Sequence, residues 1–308
     1  MFQRLRDRRS RCVLFLLAIL SVALLMPMEA MAKPKKTIDV IVFAGQSNMM
    51  GHGNAKGAPS VKKKSAYAYL PVSSPGKVSG FSEPFGSQEN DKYINNMMGD
   101  ENLATGSMVS AFVRAYYKET KTPVLAVPCA MQGTGSYSWA SMRYQAIIDR
   151  ASAAKKAAKK AGYKVGHVYL VWMQGESDAL AMQRNEDGTC DTSMSPDEHI
   201  KNVRTMFKRV KKKAGFSKCF VIRIPSFYGS QTDPYGEKWS SYYKLIQNAQ
   251  ISLCADYDDF VMAYANTPKL SKKYLQSDGM HLTQAGLNKV GTGAGSYVGK
   301  YTNKHSKE

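Results

Sequence analysis

The 308-residue chain carries 43 basic and 24 acidic residues, a formal net charge of +19. That excess favours anionic partners such as acidic glycans, cell walls or anionic lipid. No aromatic-interleaved basic module accompanies it, so no nucleic acid is expected as a partner, and no apolar run beyond residue 32 reaches the roughly 20 residues a membrane helix needs.

In chain order, residues 1–32 read as a signal peptide. Arg4, Arg6, Arg8, Arg9 and Arg11 form a basic head, "CVLFLLAILSVALLMP" an apolar middle, and Ala30-Met31-Ala32 a small-residue cleavage site. The expectation is export to the periplasm or the outside, with a membrane as partner only if this segment stays uncleaved. Residues 33–308 then form a single domain, long enough for a substantial core. That part keeps 38 basic and 22 acidic residues. Much of the excess sits in Lys62-Lys63-Lys64, Lys155-Lys156, Lys159-Lys160 and Lys211-Lys212-Lys213, which read as solvated helix faces and loops.

Strand and helix patterns then alternate. Ile38 to Ala44 is an apolar, β-branched strand. "MVSAFVRAYYKE" reads as a helix, "PVLAVPCA" as a strand, and "RYQAIIDRASAAKKAAKKAG" as a long helix stopped by Gly162. "HVYLVWM" is the next strand, and "PDEHIKNVRTMFKRVKKKAG" a helix with Pro196 at its start and Gly215 at its end. "CFVIRI", "KWSSYYKLIQNAQISLCA", "DFVMA" and a last helix from Thr283 complete the series. Strands apolar on both faces, each followed by a helix, predict an α/β fold: a three-layer α/β/α sandwich around a mostly parallel sheet. Residues 53–107 and 179–195 break the rhythm as long polar loops. The aromatics of the first (Tyr67, Tyr69, Phe81, Phe85, Tyr93) offer a surface on which a sugar could rest.

Four cysteines remain after residue 32: Cys129, Cys190, Cys219 and Cys254. In an exported chain they permit two disulfides in three connectivities, with Cys219 and Cys254 placed so that they could meet. Their spacing is nothing like a zinc site.

In such folds ligands bind at the carboxyl ends of the strands, and polar residues with useful chemistry gather there. "VIVFAGQSNMMGHG" ends the first strand in a turn in which Gly45 allows a sharp reversal and Ser47 stands clear of the sheet. Ser47 is a candidate nucleophile, and its backbone amide a candidate oxyanion donor. "SDGMHLTQAG" places Asp278 three residues before His281, so a carboxylate can orient the imidazole and leave the other nitrogen for Ser47. Among the other histidines, His52 is a rival base with no acid beside it. His305 lies in the tail, His199 on an exposed-looking helix, and His167 at the start of a strand. "VWMQGESDA" brings Gln174, Glu176 and Asp178 to the same edge; a glutamine amide is a good neutral oxyanion donor. "AMQGTGSYSW" adds Gly133 and Gly135, whose amides could complete the pocket.

Together, GQSNM (45–49), Ala130-x-x-Gly133-Thr134 with the following Trp139, WxQGExD (172–178) and DGxHLT (278–283) resemble the SGNH-hydrolase superfamily. The branch is that of sialate O-acetylesterases and the acetylxylan esterases of carbohydrate esterase family six. The resemblance covers nearly all of residues 38–298 and implies a metal-free serine esterase that removes O-acetyl groups from a carbohydrate. By position it implies Ser47 as nucleophile, His281 as general base and acid, and Asp278 as its orienting acid. Gly133, the Ser47 amide and Gln174 would be oxyanion donors, and Glu176 either a structural partner or the third triad member. Gln132 stands where the family commonly has glycine. Two other readings stay open: a non-catalytic glycan-binding protein on this scaffold, and an esterase acting on peptidoglycan or lipid acyl esters.

Overall fold

Alternate residues of the first strand, β1 (Thr37–Gly45), are buried in different layers. Ile38, Val40, Val42 and Ala44 enter one core, Ile41 and Phe43 the other, as the two-residue period of a strand requires. The computed structural model describes residues 36–86, 89–96, 106–186, 194–229 and 236–306. The expected signal peptide and Cys190 lie outside these.

The other strands are β2 (Ala66–Ala68), β3 (Ser79–Gly80), β4 (Val124–Ala130), β5 (Lys164–Met173), β6 (Lys218–Ile222) and β7 (Phe260–Tyr264). They form one sheet in the order β3-β2-β4-β1-β5-β6-β7, parallel throughout except for the short β2–β3 pair. A four-residue helix, α1 (Ser47–Met50), follows β1 directly. Helix α2 (Val109–Thr120) and the last helix, α7 (Gln284–His305), cover one face through Phe112, Tyr116, Leu287 and Val290. Helices α3 (Tyr144–Lys160) and α5 (Pro196–Ala214) cover the other through Ile147, Ala151, Val203 and Phe207. Between them in sequence lies α4 (Glu176–Glu186), which shares a smaller cluster with α6 (Gly236–Asp256). The sandwich therefore has the three layers that the apolar strands predict.

Local chemistry sets the helix ends. The Ser195 hydroxyl accepts from the Glu198 amide at 3.1 Å, Pro196 occupies the first turn, and Gly215 ends α5 in the left-handed conformation. Lys211, Lys212 and Lys213 lie exposed in its last turn, where cations complement the helix dipole.

Four expectations change. Residues 53–107 contain β2 and the edge strand β3, both too short to give a pattern. The 179–195 segment opens inside α4, whose apolar residues Ala179, Leu180, Ala181 and Met182 run consecutively and so make no helical stripe, with only Ala179 and Met182 buried. The aromatics of 53–107 are not a presented surface. Tyr69 and Phe85 are buried, Phe81 packs on Phe85, and Tyr67 and Tyr93 lie against the core. Cys129, Cys219 and Cys254 are free thiols. Burial pushes Cys129 and Cys254 up to about 12 and raises Cys219 well above the ordinary thiol range, so none is a ready nucleophile.

At the carboxyl edge, Gly45 stands in register with Ala130 of β4 and Met173 of β5. Its φ of +138° suits glycine, and a Cβ there would lie 1.9 Å from the Met173 carbonyl oxygen. Gly45→Ala combines backbone strain with overlap against a fixed carbonyl. It is expected to destabilise the chain by about 3–5 kcal/mol, read as a lowered urea midpoint with unchanged slope.

Candidate active site

Three loops leave the sheet side by side after Gly45, Ala130 and Met173, and backbone hydrogen bonds lace them together. The Gln46 amide donates to Met173 O at 3.0 Å, and the Met131 amide to Gly45 O at 2.9 Å. Ser47 thus begins α1 at a fixed point on the edge, with its amide in the first turn, where no preceding carbonyl is available to accept from it. The residue is only 4% exposed.

The fourth loop comes from β7, three strands away, and must cross the edge to reach Ser47. It is held at several points. Leu275 and Leu282 pair across its base, and the Tyr228 amide donates to Gly279 O at 2.9 Å. Asn48 clamps it from the α1 side: its Oδ1 accepts from the Leu282 amide at 2.9 Å, and its Nδ2 donates to Met280 O at 3.3 Å.

Within this loop Asp278 folds the chain around its own carboxylate. Oδ1 accepts from the Met280 and His281 amides at 2.8 and 2.9 Å, and Oδ2 lies 2.7 Å from His281 Nδ1. His281 Nε2 lies 2.9 Å from Ser47 Oγ. Burial alone would raise the Asp278 carboxyl; hydrogen bonds from the His281 ring and from the two amides, with the charge of His281, outweigh it and hold the group at about 2. Asp278 is therefore ionised at neutral pH and can stabilise a positive imidazole.

Glu176 is fully buried and does not touch the His281 ring nitrogen that Asp278 engages. Its Oε1 accepts from Asn48 Nδ2 at 2.8 Å. Burial raises its pKa, with the Asn48 hydrogen bond opposing. Of the two readings of Glu176, this is the placement of a structural partner: it orients the asparagine that clamps the histidine loop.

Gln174 also departs from expectation. Its side chain is wholly buried and its Nε2 donates to Thr134 O at 3.1 Å and Gln46 Oε1 at 3.3 Å. With both amide protons so used, Gln174 joins two loops and is not an oxyanion donor. Gly133 is exposed, at φ +65°, in a turn built by its neighbours. The Thr134 hydroxyl donates to Met131 O at 2.7 Å and accepts from the indole of Trp139 at 2.9 Å. The Gln132 amide donates to Asn96 at 3.0 Å. Gly133, with no side chain, leaves only backbone at this turn.

Beneath this loop lies a buried network that the sequence did not disclose. Asp178 Oδ1 accepts from the Ser136 amide at 2.8 Å, and its Oδ2 lies 2.6 Å from His199 Nδ1, both side chains fully buried. His199, expected on an exposed face, is instead a core residue, because α5 turns it onto a carboxylate. His167, at the other end of the sheet, contacts Ser306, and His305 contacts Tyr301 O. His52, the rival base, stacks on His281 and does not reach Ser47 by any hydrogen bond among the described residues. No cluster of three or more metal-ligating side chains occurs among the described residues.

A family model for carbohydrate esterases described as sialic acid-specific acetylesterases matches residues 37–298. No curated protein matches the sequence. Among solved structures, a protein of Arabidopsis thaliana is similar with a TM-score of 0.58 at 20% identity, over 86% of this chain and 98% of its own. At that identity the likeness is one of fold. An acetylxylan esterase of Geobacillus stearothermophilus is similar at a TM-score of 0.45 and 13% identity, over 84% of this chain and 91% of its own. A carbohydrate acetylesterase of Xanthomonas citri is similar at 0.47 and 12%, over 85% and 57%. The family match starts at the first residue of β1, ends within α7 and takes in all four loops of the site; the chain belongs to the carbohydrate esterases described as sialic acid-specific acetylesterases, and is a carboxylic ester hydrolase.

Proposed function

We propose that the chain is an exported serine esterase that removes O-acetyl groups from a sialic acid, a xylan or a related glycan through an acyl-enzyme on Ser47. The observation that carries the reading is the continuous line from Asp278 Oδ2 to His281 Nδ1 at 2.7 Å, and from His281 Nε2 to Ser47 Oγ at 2.9 Å. In the first step the Ser47 oxygen attacks the acetyl carbonyl while its proton passes to His281 Nε2. The tetrahedral oxyanion is met by the amides of Ser47 and Gly133. As it collapses, the ester C–O bond breaks and the imidazolium gives its proton to the departing sugar oxygen. A water then loses a proton to the same nitrogen and attacks the acyl carbon; acetate leaves and Ser47 regains its hydrogen. Asp278 stays ionised throughout, holding the tautomer that leaves Nε2 free.

With the aromatics of 53–107 packed inward, Tyr137 and Tyr228 take over as sugar supports. Tyr137 is 63% exposed just beyond the Gly133 turn, and Tyr228 is 36% exposed where its amide meets Gly279. Acetate release from acetylated sialic acid, acetylated xylan and O-acetylated peptidoglycan, measured beside 4-nitrophenyl acetate hydrolysis, tests the substrate class. A carbohydrate ester turned over with the higher kcat/KM is expected. Glycan binding without acetate release would favour the non-catalytic reading, and preference for long-chain lipid esters would overturn the carbohydrate assignment. Export is tested separately by N-terminal sequencing of protein recovered from outside the cytoplasm, with Lys33 expected as the first residue.

A further inference from the structure

His52 is the one imidazole near the site that the mechanism leaves unused. Its ring lies face to face with that of His281, centroids 4.3 Å apart and planes 2° from parallel. Its Nε2 is buried with no hydrogen-bond partner among the described residues, so neither an acceptor nor a donor fixes the role of that nitrogen. The backbone that carries it is tied down on both sides. The Gln276 amide group donates to His52 O at 2.7 Å and to Leu282 O at 3.1 Å, and Gly53 pairs with Gly106 through two backbone hydrogen bonds. One side chain, Gln276, thus holds the stacking ring and the catalytic loop in a common frame.

Resting on the Ser47–His281–Asp278 reading, we infer that His52 is a positioning residue: a neutral aromatic plate that keeps the His281 ring in the plane joining Asp278 to Ser47 and receives its face when it becomes positive. The geometry gives the reason. The two hydrogen bonds of His281 both lie in its ring plane and leave it free to rock about the line between them; a parallel ring at stacking distance removes that freedom. Misplacement of a reacting group by about 1 Å can cost about 100-fold in rate. A neutral π-face also attracts a cation, whereas a charged one would repel it. Burial, then the charge of His281, lowers His52 to about 4, with Asp278 opposing, so the plate stays neutral while the base cycles. Among the described residues the charged groups facing it are these two, both on the catalytic loop; Glu176, behind Asn48, acts on His281.

The test compares wild type, His52→Ala, His52→Phe and Ser47→Ala by kcat, KM, the pH profile of kcat/KM and Tm. His52→Ala should lower kcat about tenfold or more with KM within about twofold. It should also move the acid limb to lower pH, because the imidazolium loses the π-face that attracts it. His52→Phe restores an uncharged plate and should recover kcat to within about threefold of wild type. A stability signature accompanies this. The folded value of His52 lies below its ordinary 6.5, so its contribution is full above pH 6.5 and is lost as pH falls through about 4. From pH 7 to 4 the wild-type Tm should therefore fall further than that of His52→Phe. A His52→Ala enzyme with wild-type kcat and a superimposable pH profile, while Ser47→Ala is inactive, overturns the inference alone. So does a kcat loss in His52→Ala that Phe does not recover. Activity surviving in Ser47→Ala instead overturns the reading on which it rests.

Discussion

Replacing Ser47 by alanine is expected to lower kcat for acetyl esters by about 10⁴–10⁶ while leaving Tm nearly unchanged, the scale seen when the nucleophile is taken from a triad that works as a unit. Ser47 Oγ contacts little besides His281 Nε2, so its removal strands no other buried group. The residual rate should be that of a pocket that still binds ester and still offers amide donors. Ser277, next to Asp278, makes the control, and Ser277→Ala should retain wild-type turnover. Steady-state hydrolysis of 4-nitrophenyl acetate over several enzyme concentrations measures the loss. A Ser47→Ala enzyme with even a tenth of wild-type kcat would assign the chemistry to another residue.

The second large effect separates the two acids that the sequence leaves in competition. Asp278→Asn should lower kcat by about 10⁴, because an amide at that position can donate to Nδ1 and so favour the tautomer that turns a protonated Nε2 toward Ser47. Glu176→Gln should change kcat by no more than about threefold, since a glutamine oxygen still accepts from Asn48. Their stability profiles should differ in sign as well. Glu176 is raised by burial above its ordinary value, so its contribution is full below about 4.5 and is lost as pH rises through the folded value. Relative to wild type, Glu176→Gln should gain Tm as pH is raised toward 8. Asp278 is held at about 2, so its contribution is present above its ordinary value and disappears only as pH falls through about 2. An acid limb of activity near neutrality therefore does not belong to Asp278. Should Glu176→Gln prove the more damaging of the pair in kcat, the roles given to the two carboxylates would be reversed.

How far the sequence discloses this site follows from the range of the interactions. The central strands β1, β4 and β6 are legible because both faces are buried and read as unbroken apolar runs. Ser47 is legible because a glycine and a polar turn end such a run. The Asp278–His281 pair is legible because its hydrogen bonds close within three residues. Gln174 is misread because the direction of its amide is decided by Thr134 and Gln46, 40 and 128 positions away. His199 is misread for the same reason: nothing near it announces Asp178, 21 positions earlier on a different helix. Asn48 sits inside the most specific motif of the chain, yet its task, to clamp a loop 234 residues later, exists only once that loop has crossed from β7. The cysteines show a different limit. Their even number permits pairing, but Cys129 is sealed in the core and Cys219 and Cys254 remain thiols.

The most direct measurement is the site of acylation. The enzyme is mixed with 4-nitrophenyl acetate, quenched in acid during the first turnovers, digested and mapped by mass spectrometry. An acetyl group on Ser47, greatly reduced in His281→Ala and absent in Ser47→Ala, is the predicted result. An acetyl group carried by a different side chain, with Ser47 unmodified during turnover, would contradict it.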